Sequence, residues 1–219
     1  MEAQWVIAVA SSIGALGILG VFYQSYTAFS QLKITAKQLD TSIKDLKADH
    51  ERSRREKAID LLAHWDRNIK LSGALSRKFA ETLSFEQSKS LFKQQSFEVD
   101  PTHAELFLGS LSNISSKNRD IPTEKFKVSE RESSEIRWGV ISYLNHLETI
   151  LAAVRHNIAD KDMIYEQFTY LVAPTEGHYV LEHFRKAAGG SDSYPSIEEF
   201  ATELKNKHET NNSGKKKIA

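Results

Sequence analysis

The chain has 219 residues, with 29 basic and 29 acidic side chains, a formal net charge of zero and no cysteine. That length fits one domain plus an appendage, and the balanced charge singles out no partner for the molecule as a whole. Lack of cysteine excludes disulfides, thiolate zinc sites, iron–sulfur clusters and cysteine nucleophiles. With four prolines, ten glycines and few alternating β-branched runs, the expected fold class is all-α.

The first element is "WVIAVASSIGALGILGVFY", Trp5 to Tyr23, free of charge and proline. A hydrocarbon core of about 30 Å takes roughly 20 apolar residues as helix. Trp5, Phe22, Tyr23 and Tyr26 stand near the ends, where interfacial aromatics collect. A secretory signal starts with basic residues, whereas this N-terminus reads "MEAQ". The pattern predicts a retained transmembrane helix within 1–29, with a buried core helix as the alternative. No Lys or Arg precedes it. Lys33, Lys37, Lys44, Lys47 and "RSRREK" (52–57) follow. The positive-inside rule therefore predicts a single-pass protein with its N-terminus outside and its C-terminal part in the cytoplasm.

At about 100° per residue, Ala10, Gly14 and Gly17 share one face, which Val21, Gln24 and Ser25 continue. Small residues let transmembrane backbones approach closely, so Ala10, Gly14, Gly17 and Gln24 are the candidate helix-packing or pore face. Glycine merely tolerated in lipid is the other reading, since no strict GxxxG pair occurs.

A stalk over 30–57 follows. Leu32, Leu39 and Leu46 recur every seven residues, and Ala36 and Ile43 fill the alternating positions, which is a coiled-coil signal on the same face. His50, Ser53 and Lys57 end the apolar seam. A parallel homo-oligomer follows from every chain entering the membrane from the same side; dimer, trimer and tetramer all remain open. Without a breaker from Phe22 to Ile69, one helix spans about 70 Å at 1.5 Å per residue, and Gly73 is the first plausible stop.

A cytoplasmic helical domain is expected over 58–208. Ala58, Leu61, Leu62, Trp65 and Ile69 form a stripe suited to packing on a globular body. Residues 74–98 read as helical without sharp borders. Asp100 and Pro101 read as N-cap and first helical residue, and 112–127 as a polar loop. Ser129 with Glu132 forms a capping box for a helix whose Ile136, Val140, Leu144, Leu147, Leu151 and Val154 line one side and which ends near Asn157. Asp160 caps a helix through Val172. Pro174 starts another that ends at Gly189 and Gly190. Ser196 with Glu199 caps the last, from Ile197 to about His208. The tail 209–219 is expected to be disordered.

Candidate chemistry is sparse. "HYVLEHF" puts His178 and Glu182 four apart with His183 beside them, a metal-like spacing without a third ligand. "YLNHLET" puts Asn145, His146 and Glu148 in an apolar helix, as a buried hydrogen-bonded network or, less simply, a catalytic pair. No Walker, dinucleotide, nucleophile-elbow or kinase motif occurs. No catalytic residue, metal or cofactor is assigned, and the chain is read as a non-enzyme. The densest basic cluster is Arg52, Arg54, Arg55 and Lys57. On a continuous stalk it lies about 40 Å from the membrane interface, several Debye lengths away. Repeated in a ring it would favour a phosphate-bearing ligand; a solvated face paired with Glu51, Glu56 and Asp60 is the plainer reading. Arg137, Arg155 and His156 are further cationic positions, with Trp138 available for stacking.

Two stretches, "RREKAIDLLAHWD" (54–66) and "LNHLETILAAVRHNIADKDMIYEQF" (144–168), together with the N-terminal anchor, resemble small bacterial and phage-encoded membrane-anchored helical proteins of uncharacterised domain type. The layout is also similar to the transmembrane effectors of the Hailong anti-phage system. That resemblance implies an oligomeric ion channel of the bacterial inner membrane, gated by short DNA oligomers from a partner nucleotidyltransferase. Arg52, Arg54, Arg55 and Lys57 would then be DNA contacts. A membrane-tethered coiled-coil scaffold presenting a protein-binding helical domain is the alternative.

Overall fold

The computed structural model describes the backbone of residues 2–69, 71–111, 123–169 and 179–215, and the side chains of 23–69, 73–111, 123–169 and 179–207. The chain divides into two units, Met1–Arg52 and Ser53–Ala219. Helix α1 (Glu2–Asn68) forms uninterrupted because Leu, Ala, Lys, Gln, Glu and Arg dominate it and neither proline nor glycine occurs beyond Gly20.

In the first unit, the charged faces of α1 pair locally: Lys44 Nζ lies 2.7 Å from Asp40, and Thr41 donates its hydroxyl to the Lys37 carbonyl. The predicted seam is bare, with Leu32, Leu39 and Leu46 between 61 and 69% exposed and Ile43 at 44%. Phe29, one heptad before Ala36 on the same row as Ile43, is exposed as well. Among the described residues no helix is long and apolar enough to cross a membrane. The side chains of the expected transmembrane segment that precede Tyr23 lie outside the described residues.

The second unit is built around one long helix. Its elements are the end of α1, α2 (Leu71–Glu81), α3 (Phe85–Phe92), β1 (Phe97–Val99), a 3-10 turn (Pro101–His103), α4 (Ala104–Ser110), β2 (Phe126–Val128), α5 (Glu130–Arg155), α6 (Lys161–Phe168), α7 (Glu182–Ala187), a second 3-10 turn (Gly190–Asp192) and α8 (Pro195–Lys215). The capping box opens α5: Ser129 accepts from the Glu132 N–H, and the Glu132 carboxylate accepts from the Ser129 N–H at 2.9 Å. All six stripe residues, Ile136 to Val154, are buried. Burial of each large side chain on this face contributes about 1.5–3 kcal/mol. Phe79, Leu91, Phe107, Phe168, Phe184 and Phe200 complete the core. Trp65 of α1 meets Tyr143 and Phe168 edge-on, with ring centroids 5.3 and 5.0 Å apart, and Ala58 is fully buried.

The class is all-α, with one addition. β1 and β2 pair antiparallel, Phe97 with Val128, Glu98 with Lys127 and Val99 with Phe126. Phe97 and Val99 turn inward while Glu98 and Lys127 pair opposite charges outside. Three residues are too few for a period-2 pattern to register against helix, so 97–98 read as helical and 126–127 as loop. Asp100 does cap, accepting from the Thr102 N–H, but it opens a 3-10 turn that leads into α4. Asp160 caps α6, which ends at Phe168 rather than Val172. The expected start at Pro174 lies outside the described residues. Helix α8 begins at Pro195, before the expected cap Ser196, and its backbone continues past His208 to Lys215, into the stretch expected to be disordered.

Candidate functional site

The basic cluster does not present four equivalent cations. Arg52 is exposed, with Nη1 3.6 Å from Asp49. Arg54 is half-buried, and its Nη2 donates to the Ala159 carbonyl at 3.4 Å. The Arg54 carbonyl accepts from the Asp160 N–H at 3.1 Å. Arg55 Nε stands 3.9 Å from Asp160 Oδ2, and Lys57 is exposed. Arg54 and Arg55 therefore latch the second unit's stretch of α1 onto the turn between α5 and α6. Asn157 makes that turn possible by taking φ of 56°, the left-handed region that asparagine tolerates better than most residues.

Of the candidate pore face, Gln24 is exposed; the side chains of Ala10, Gly14 and Gly17 lie outside the described residues. His178 also lies outside them. Glu182 pairs with Lys186 at 2.6 Å, and His183 Nδ1 donates to the Leu83 carbonyl at 3.0 Å. Among the described residues no group of three or more potential ligands could hold a metal ion.

Asn145, His146 and Glu148 do not form the expected network. Asn145 is exposed. His146 Nδ1 donates to the Ser142 carbonyl at 2.7 Å, and its ring stacks on His64 of α1 at 6.1 Å. Glu148 instead receives the Ser196 and Ile197 N–H groups at the start of α8. Arg137 Nε caps the end of α3 through the Phe92 carbonyl at 2.7 Å and lies over the Phe92 ring. Arg155 pairs with Glu199 at 3.3 Å.

A cavity of about 460 Å³ opens between the end of α1, α2, the end of α4 and α5. Helix α5 has a second face besides its core stripe. Glu135, Trp138, Gly139, Ser142 and His146 follow helical spacing along it and line this cavity. Gly139 lets α2 approach: a Cβ there would stand 2.7 Å from Ser76 Oγ. Trp138 is 71% exposed. The sequence signals were a tryptophan off the apolar stripe and a glycine inside a strongly periodic helix, neither sufficient to place α2 opposite them.

These features define an all-α protein with a long N-terminal helix and a helical body carrying a cleft. Residues 14–204 match the domain of unknown function DUF4760, and the chain belongs to that family. No curated protein matches, and no solved structure matches.

Proposed function

We propose that the chain is a membrane effector that works as a parallel homo-oligomer, conducting ions under control of a cytoplasmic anionic ligand of oligonucleotide type, in anti-phage defence. The observation that carries this reading is the bare row Leu32, Leu39, Ile43 and Leu46, on the same helix as the charge-free stretch 5–23. A heptad row of large apolar side chains exposed on one chain is stabilised by burial against its copies. Arg52 and Lys57 keep exposed charge for an anion, whereas Arg54 and Arg55 engage the α5–α6 turn. Reconstitution in liposomes with and without short DNA oligomers tests it. Ligand-dependent ion flux is expected; absence of flux under every condition contradicts it.

The latch made by Arg54 and Arg55 favours a second reading, a membrane-tethered scaffold, because it uses two basic residues to hold the helical body. A tether requires only anchoring, so Gly14→Leu and Gly17→Leu should leave it working, while a channel should lose conduction.

A further inference from the structure

We propose that the cavity beside Trp138 binds a small, flat, uncharged heterocycle. Its volume of about 460 Å³ lies within the range of small-molecule sites. One wall is the exposed Trp138 indole, a stacking surface for any flat ring. Ser142 and His146 bring hydrogen-bonding groups to the same space, while buried Ser76 donates its hydroxyl to the Ser110 carbonyl. Among the described side chains that line it, Glu135 is the charged one, and neither lysine nor arginine is present. Those described side chains offer a phosphate no guanidinium or ammonium. Gly73 lines the cavity, and a Cβ there would meet no atom within 4 Å. This inference stands apart from the conduction reading, because it rests on the cavity alone and its readout is binding.

The test is calorimetric titration of the full chain in detergent with adenosine and caffeine as flat neutral probes, and with AMP as the anionic counterpart. Saturable one-site binding of a neutral probe is expected, at least tenfold tighter than AMP. Trp138→Ala and Gly73→Leu should each weaken it at least tenfold, with helical circular dichroism unchanged; the leucine adds bulk at a lining position that has none. Glu135→Gln should narrow the margin over AMP. Absence of saturable binding, AMP binding as tightly as adenosine, or unchanged binding in Gly73→Leu overturns the proposal. A photo-crosslinker at Ser142 that captures a second protein while neither probe binds also overturns it, in favour of a docking surface.

Discussion

Glu148 caps α8 from another helix: its carboxylate accepts the Ser196 N–H at 2.9 Å and, through its second oxygen, the Ile197 N–H at 3.0 Å. Two orphan donors are satisfied by one charge placed at the positive end of the helix macrodipole. Glu148→Ala should destabilise the second unit by about 1–2 kcal/mol, and Glu148→Gln by less. Urea unfolding checks this through a lower midpoint at unchanged slope.

Two glycines should respond in opposite directions. Gly73 has open space where a Cβ would go, so Gly73→Ala should stabilise by about 0.5–1 kcal/mol through helix propensity. Gly139 has Ser76 Oγ at 2.7 Å and Ser76 Cβ at 3.0 Å from that position. Gly139→Ala should push α2 from α5 and cost about 1–3 kcal/mol. Thermal unfolding of the two variants in parallel is the measurement.

Arg185 is 1% exposed. It donates to the Val180 and Tyr179 carbonyls at 2.7 and 3.0 Å and pairs with Glu198 of α8. These bonds hold Val180 and Leu181 at φ of 36° and 54°, conformations unfavourable for bulky side chains. Arg185→Met should cost about 3 kcal/mol or more, since Glu198 and both carbonyls lose their partner. Proteolysis near 179–181 should accelerate in the same variant.

Acid should loosen α6 from α8. Burial raises the Glu203 carboxyl, but hydrogen bonds from Lys161, Tyr165 and Lys207 outweigh it and hold the group below its usual value. A depressed carboxylate contributes stability that is present above its unfolded-state value of about 4.3 and is lost as pH falls through the folded value. Burial and the Glu203 contact raise Tyr165, keeping its hydroxyl a donor. Glu203→Gln should flatten the acid limb of stability against pH, as followed by circular dichroism; an unchanged limb contradicts the assignment.

The long-period features were legible in the sequence because each is a local pattern. The α5 stripe, the Ser129 box and the uninterrupted α1 depend on neighbours three to seven residues apart. The β1–β2 pair was not legible, because it joins two three-residue runs from opposite sides of α4. Glu148 stands out as polar in an apolar helix, but its partners sit on α8, which sequence spacing does not reveal. Arg54 looked like a surface cation for the same reason: Ala159 and Asp160 return to it only through the fold.

Cysteine cross-linking of α1 tests the central claim most directly, since the chain has no cysteine of its own. Leu39→Cys and Leu46→Cys, each introduced alone and oxidised in membranes, should give covalent chain–chain products, and Ile34→Cys, off the seam, should give far less. Strictly monomeric products at both seam positions, or equal cross-linking at Ile34→Cys, would contradict the account.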